Sequence, residues 1–506
     1  MPGDAPISDH QTLVRGLADA LRRTAGEVEQ IETHISSLLL AGDHVYKLKK
    51  PLDLGFLDFT TLDRRKRACD DELRLNRRLA PDLYLDVIAI TGTAEQPTLD
   101  GTGALLDYAV HMRRFPQEQR LDRVLARGAL RRNQLDALAV AVATFHQHHA
   151  ARQTPEWLSE AEPLVQPVLA NLQQLQTLDA AAPEAVGDWV HAQLPGFRQR
   201  LQARLGDGAV RECHGDLHLE NIALIDDCAV PFDCIEFDER LRWMDVISDL
   251  AFLLMDLDFR GAEPMAARIL SQYLDVTGDH AGVRDLRFYQ VYRALVRAKI
   301  HAIKLADGRQ SAERQTTERQ QRDRYLALAE RYCEARRPQL VTTCGLSGSG
   351  KSTAALALVE NSAAIRLRSD VERKRLFGLD ALARTDAPVA GAIYGAEASA
   401  ATYDALAERA TLLLQAGWSV IIDAACLQRR ERDRFRALAA QLNCRWRLLY
   451  CEAPVKELER RLVTRARSGS DPSEADTSVL SFQREHFQPP DADELRHRIT
   501  PEPSPP

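Results

Sequence analysis

Between about residues 30 and 115, apolar positions fall into short β-like runs around one segment of helical period. ISSLLLAGDHVYKLKK reads as two strands joined by a turn at Gly42-Asp43. DRRKRACDDELRLNRRL places its apolar residues at helical spacing and stops before Pro81, whose predecessor is pushed out of the helical region. LYLDVIAI and LLDYAVHMRRF predict further strands. From about 118 to 205 the period is helical, with LDALAVAVATFHQHH its most apolar stretch. IALIDDCAVPFDCIEF then predicts a β-hairpin, and helices dominate to about 335. RQSAERQTTERQQRDRYLALAERYCEARRPQ is so charged that it predicts a solvated helix leading to a boundary near Arg337-Pro338. Beyond it QLVTTCG is an apolar strand ending in glycine, and β and α segments alternate to the end. The tail TPEPSPP is too rich in proline to pack and is expected to be disordered.

A chain of 506 residues divides into two to four domains by length, and the boundary just described gives 1–335 and 336–506. A 45% hydrophobic and 27% charged composition is that of a soluble globular protein. The net charge of -7 disfavours a dedicated nucleic-acid binder, which carries a basic excess. No apolar run is long enough to span a bilayer, and DLAFLLMDLDF is interrupted by Asp249, Asp256 and Asp258, so no membrane partner is expected. MPGDAPISDHQ lacks a secretory pattern, and nine cysteines without a CxxC pair fit reduced thiols; a cytoplasmic location is expected.

GLSGSGKS, Gly345 to Ser352, fits G-x-x-x-x-G-K-[ST] between an apolar strand and the helix KSTAALALVE. Gly345, Gly348, Ser349 and Gly350 would turn backbone N–H groups around phosphates, with Thr353 just beyond in the helix. Lys351 would reach the β- and γ-phosphates and Ser352 would ligate Mg²⁺. Asp423 closes the apolar run WSVIIDA, the place of a carboxylate that orients the metal. Asp370 ends AIRLRSD, followed by Arg373 and Lys374. This half resembles the small P-loop kinases of the zeta-toxin and polynucleotide-kinase group. The resemblance implies Asp370 as general base and Arg373 as a substrate contact; a helix N-cap before VERKRLF is the other reading of Asp370. ELERRLVTRARSGSDPSEAD is similar to the lid of such kinases, with Arg461 and Arg465 on one helical face, although a solvated basic face has the same pattern.

CHGDLHLEN carries Asp216 and Asn221 at the D-x₄-N spacing of a kinase catalytic loop, where an acid receives a hydroxyl proton and an amide oxygen holds magnesium. With Gly215 replacing arginine, the loop resembles aminoglycoside phosphotransferases and choline-kinase-like enzymes. The resemblance implies Asp233 in VPFDCIEF as the second metal acid, with Glu236 and Asp238 as alternatives because DCIE stands where DFG would. In HVYKLKK, Val45 and Lys47 reproduce the V-A-I-K relation, which favours Lys47 over Lys49 as the phosphate lysine. Ala68, Glu72, Leu75 and Leu79 share one helical face, so Glu72 lies on an apolar stripe and is resolved by pairing with Lys47 or by reaching water at a rim. Asp249 in ISDLAFLL resembles the acid that braces this loop. No glycine-rich kinase loop is present; Ser36 and Ser37 near that turn are left without a role. So are His218 and the cluster His146, His148 and His149, beside which no acid or cysteine stands at ligand spacing.

The expected fold class is therefore mixed α/β and α+β. A bilobal protein-kinase-like fold occupies 1–335, and a P-loop NTPase with a parallel sheet flanked by helices occupies 336–506. The expected activity is ATP-dependent, Mg²⁺-dependent transfer to hydroxyl groups of small molecules at two separate sites. The alternatives are a P-loop domain acting on nucleic-acid 5′-hydroxyl ends, supported if Arg366, Arg368, Arg373 and Lys374 form a basic groove, or one serving as a regulatory ATPase. Neither the acceptor nor the oligomeric state is written in the sequence.

Overall fold

The computed structural model describes the chain except residues 1–3, 56, 152, 179–182, 307–309, 382, 384–394, 469–472, 474–476 and 501–506; side chains at 4–7 and 465–468 are likewise outside the described residues. The proline-rich tail falls among them from Pro501 onward. The chain forms two compact units, residues 1–170 with 194–253, and residues 171–193 with 254–506.

In the first unit a helix α1 (Asp4–Ala25) precedes a six-stranded antiparallel sheet. Its strands are β1 (Val28–Glu32), β2 (Ser36–Ala41), β3 (His44–Lys49), β4 (Tyr84–Gly92), β5 (Pro97–Leu99) and β6 (Leu105–Arg113), in spatial order β1-β2-β3-β6-β4-β5. Alternation along the strands sends side chains to two faces. Leu39, Leu48 and Ile90 meet Leu13, Val14 and Leu17 of α1, whereas Leu40, Val45 and Val110 meet Cys69 of α2 (Leu62–Asn76) on the other side. Each such leucine stabilises the fold by about 1.5–3 kcal/mol through burial alone. Thr61 caps α2, its Oγ1 accepting the N–H of Arg64 at 3.3 Å.

The chain continues through α3 (Leu121–Ala126), α4 (Arg132–Thr144), α5 (Glu162–Leu178) and α6 (Glu184–Gly206). Two antiparallel pairs follow: β7 (Val210–Glu212) with β10 (Trp243–Asp245), and the hairpin β8 (Ile222–Ile225)–β9 (Cys228–Pro231). Then come α7 (Val246–Phe259), α8 (Glu263–Thr277), α9 (Val283–Ala306) and α10 (Ala312–Cys333). The last of these departs from the expected solvated helix. Its N-terminal half is polar, but Tyr325, Leu326, Leu328, Ala329 and Tyr332 are buried, with the Tyr325 ring stacked on Phe259 at 3.6 Å between centroids. The apolar residues of YLALAERY share one face, and the surrounding charges conceal that stripe in the composition.

The second unit holds a four-stranded parallel sheet of β11 (Gln339–Cys344), β12 (Ile365–Arg368), β13 (Val420–Asp423) and β14 (Arg445–Tyr450) in the order β12-β13-β11-β14. Around it stand α11 (Lys351–Ser362), α12 (Ser369–Leu376), α13 (Ala396–Gln415), α14 (Arg429–Gln441), α15 (Val455–Ser468), α16 (Thr477–His486) and α17 (Ala492–Leu495). Ile421 and Ile422 are completely buried, as a parallel sheet covered on both faces requires. The N-terminal fold is bilobal and protein-kinase-like, and the C-terminal one is a P-loop fold with its sheet flanked by helices.

Candidate active sites

β3 lies between β2 and β6, with Lys47 opposite Leu38 on one side and Val110 on the other, so its ammonium leaves from the centre of the sheet. It meets Glu72 Oε1 at 2.7 Å and Asp233 Oδ1 at 2.7 Å. Lys49, which the sequence ranks below Lys47, joins the same cluster: its Nζ donates to Glu72 Oε2 at 2.5 Å and also to Glu236. Glu72 is therefore fully buried between two ammonium groups rather than reaching water. Burial opposes its ionisation, yet Lys47 and Lys49 outweigh that and hold its carboxyl down at about 2. Burial likewise opposes the charge on Lys47, but Asp233 and Glu72 raise its pKa well above the ordinary lysine value. Two ammonium groups face the three carboxylates of Glu72, Asp233 and Glu236. With all five ionised the cluster is one charge short of neutral, which suits a cation.

Asp233 follows β9 in a left-handed backbone conformation, φ 63°. Such strain persists only where neighbours fix it. Tyr84 Oη accepts its N–H at 3.1 Å, and Asn76 Oδ1 accepts the next N–H, of Cys234, at 2.9 Å.

The loop carrying Asp216 is held from below. Asp249 accepts the N–H groups of His214 (3.1 Å) and Gly215 (2.9 Å) and lies 3.1 Å from His146 Nε2. Burial works against this carboxylate, but His146 and the His214 N–H keep it at about 2. Of the three histidines His146 thus stands beside an acid after all, and Cys213 lies close by as well. Chain separation of more than a hundred residues hides that juxtaposition. Asp249 spends its oxygens on the loop backbone, so the group is a brace.

Asn221 Nδ2 donates to Asp216 Oδ2 at 2.8 Å and to the Asp216 carbonyl at 3.1 Å, which leaves Oδ1 as its atom for a cation. His218 also turns onto the acid, its Nε2 3.2 Å from Asp216 Oδ2. His218 Nδ1 accepts the N–H of Glu220 at 3.3 Å, so the neutral ring carries its proton on Nε2, aimed at Asp216. Its place two residues beyond Asp216 in the loop is the signal that could have found it.

At the second site, β11 ends in a loop that no residue with a side chain could copy. A Cβ on Gly345 would lie 2.3 Å from the Cys451 carbonyl oxygen, and Gly348 has φ +84°. Gly350 caps α11 at its N-terminus, directing that end of the helix into the loop. Ser347 N–H donates to Gln483 Oε1 of α16 at 2.8 Å, a support the motif does not foretell. Lys351 Nζ donates to the Leu346 carbonyl at 2.9 Å, and burial lowers its pKa while Asp423 opposes the shift. Ser352 Oγ donates to Asp423 Oδ1 at 3.1 Å. Two buried oxygens here, Ser349 Oγ and Asp423 Oδ2, have no hydrogen-bond partner. A carboxylate oxygen without a hydrogen bond, beside a serine hydroxyl, is the donor set expected of a magnesium site.

A cavity of about 720 Å³ is lined by Gly348, Gly350, Lys351, Ser352, Thr353, Asp370, Arg373, Asp423 and Arg461. Asp370 lies in the first turn of α12, whose N-cap is Arg368, so capping is not its role. Arg461 donates to Glu457 Oε1 at 2.6 Å and to the Gly348 carbonyl at 3.3 Å; the Arg465 side chain is outside the described residues. Tyr403, Glu431 and Phe482 also line the cavity, from three helices far apart in the chain. No local signal marks them. Of the four basic residues expected in a groove, Arg368 and Arg373 line the cavity and the other two do not. Arg366 and Lys374 are buried, Arg366 on Asp275 and Lys374 on the carbonyls of Ala381 and Ala383.

A family model described as "Phosphotransferase enzyme family" matches residues 56–289, and one described as "AAA domain" matches 340–490. Uncharacterised proteins of Mycobacterium tuberculosis and Mycobacterium bovis are each 30% identical over 458 residues, 90% of this chain and 89% of theirs. Among solved structures, a choline/ethanolamine kinase family protein from Mesorhizobium loti is 13% identical, covers 63% of this chain and 99% of its own, and has a TM-score of 0.37. The APS kinase of Mycobacterium tuberculosis, solved with AMPPNP and APS, is 27% identical over 33% of this chain and 91% of its own, with a TM-score of 0.24. Among the described residues no helix is long and apolar enough to cross a membrane.

Proposed function

Because this chain belongs to the family of its mycobacterial relatives and joins a phosphotransferase-family domain to an AAA-family P-loop domain, we propose that it carries two separate Mg·ATP centres, each transferring phosphate to a small-molecule hydroxyl. The observation that carries this reading is the pairing of Lys47 with both Glu72 and Asp233. It assembles the phosphate lysine, its helix partner and the metal acid of a kinase at one point.

At the first centre Asp216 orients the acceptor hydroxyl and takes its proton, while Asn221 and His218 fix the carboxylate. Lys47 holds nucleotide phosphates, and Asn221 and Asp233 are the groups that would hold magnesium. At the second, the loop from Gly345 to Ser352 cradles the phosphates with Lys351, Asp370 receives the acceptor proton, and Ser352 and Asp423 would hold magnesium. Arg373 contacts the acceptor, and Arg461 offsets charge on the moving phosphoryl group. When bound, the metal neutralises charge that develops on phosphate oxygens. Positioning and charge stabilisation do most of the work in such transfers, so metal ligands and general bases matter alike.

The test is transfer from labelled ATP to a small-metabolite extract, read by mass spectrometry for wild type, Asp216→Asn and Lys351→Ala. Each variant is expected to lose a different phosphorylated product. ATP turnover without any labelled metabolite would remove the small-molecule reading.

A further inference from the structure

The second centre borrows a charge from outside its own family segment. Asp275 lies in the last turn of α8, within the residues matched by the phosphotransferase family and outside those matched by the P-loop family. It nevertheless belongs to the same compact unit as the P-loop sheet. Its Oδ2 accepts from Arg366 Nη2 at 2.9 Å and from Arg368 Nη1 at 3.4 Å, two arginines of β12. The same arginines point at the metal acid: Arg366 Nη1 is 3.9 Å and Arg368 Nε 3.8 Å from Asp423 Oδ2. Neither distance is a hydrogen bond. Asp423 Oδ2 is buried and has no hydrogen bond.

We infer that Asp275 is a positioning residue for the P-loop centre: it holds Arg366 and Arg368 off Asp423 so that Oδ2 stays free for a divalent cation. The inference rests on the P-loop reading above. Its physical basis is competition for charge. Two guanidinium groups stand between two carboxylates, and a guanidinium that closes on Asp423 occupies the oxygens a cation needs. Asp275 is a counter-charge shared by both that draws them back.

The placement of Asp275 is itself secured. Arg375 Nη2 of α12 donates to the carbonyls of Leu274 (3.2 Å) and Asp275 (2.9 Å), satisfying C-terminal carbonyls of α8 where the helix dipole favours a cation. Gly278 ends that helix at φ +69°, and a Cβ there would meet Arg375 Nε at 2.5 Å. On the same helix Arg268 pairs with Glu360 of α11 at 2.7 Å, so α8 is fixed to the phosphate-loop helix as well as to β12. A chain cut at residue 336 would keep Arg375 and Glu360 but lose Arg268, Asp275 and Gly278, and with Asp275 the restraint on Asp423.

The test is Mn²⁺ binding read by electron paramagnetic resonance, in the full chain carrying Asp233→Asn so that only the second centre holds metal with ADP. Asp275→Asn is expected to weaken Mn²⁺ binding by roughly tenfold, the usual cost of losing a group that orients a metal ligand. Replacing both arginines as well (Arg366→Met, Arg368→Met) is expected to restore binding to within roughly threefold of the parent, because the competing charges are gone. Unchanged affinity in Asp275→Asn overturns the inference, and so does weakening that the arginine replacements fail to restore, which marks a merely structural role. A parent without Lys351-dependent Mn²⁺ binding removes the P-loop reading itself, and the inference with it.

Discussion

Lys47 Nζ lies 2.7 Å from Glu72 Oε1, so a strand lysine and a helix glutamate are locked together with almost no access to water. Without the Glu72 carboxylate Lys47 keeps Asp233 and Lys49 keeps Glu236, but each ammonium loses one buried hydrogen bond, a loss of about 1–3 kcal/mol. Glu72→Gln is therefore expected to lower stability by that order in urea unfolding and to raise the KM for ATP at the first centre. The pH signature has a definite sign. Glu72 ionises at about 2 in the fold and about 4.3 when unfolded. Its contribution is complete above the unfolded value and is lost as pH falls toward 2. Acid titration of stability between pH 5 and 2 should be shallower in Glu72→Gln than in wild type.

Asp216 and His218 separate proton transfer from orientation. Asp216→Asn removes the base and is expected to cost the first centre at least roughly 100-fold in kcat. His218→Ala leaves the base but removes one of its restraints, with an expected loss of roughly tenfold in kcat and little change in KM for ATP. Steady-state kinetics on the first product check both. Equal losses in the two variants would mean that the histidine itself carries the proton.

A second pH effect comes from the helices of the second unit. Burial, with help from Glu263 and against the hydrogen bond from Tyr332, pushes Asp258 up to about 7. The folded chain thus keeps a proton that an unfolded aspartate releases near pH 4. Stability from this group is present below that value and is lost as pH rises through about 7. Each tenfold change in proton affinity is worth about 1.4 kcal/mol. Asp258→Asn should remove the decline in melting temperature between pH 6 and pH 8 and exceed wild type at pH 8.

Those parts of the fold that depend on neighbours along the chain were legible beforehand. The hairpin at Gly42-Asp43 and helix α2 follow from spacing alone, and the motifs around Asp216 and Lys351 from short fixed patterns. The parts built across the chain were not. Lys49 follows Lys47 by two and shares its strand face, yet nothing local says that Glu236 will meet it. Cys213 and Asp249 reach His146 only through folding. Arg366 read as surface charge because its counter-charge, Asp275, lies 91 residues earlier. Charge content also misplaced the end of α10, where composition outweighed a narrow apolar stripe.

The phosphate loop tolerates little change in its glycines. Gly345→Ala would drive a methyl group into the Cys451 carbonyl, 2.3 Å away, so the loop must move. Nucleotide-dependent stabilisation of the second unit is expected to vanish in this variant while the first centre keeps its turnover. Fluorescent ADP binding in an Asp233→Asn background measures the loss.

The central claim is that one chain holds two independent nucleotide sites. Native mass spectrometry of the full chain with Mg²⁺ and a non-hydrolysable ATP analogue counts them directly. Wild type should bind two analogues, Lys351→Ala one and Lys47→Ala one, with none left when both lysines are replaced. A single analogue on wild type, or the loss of both through either single replacement, would contradict the account.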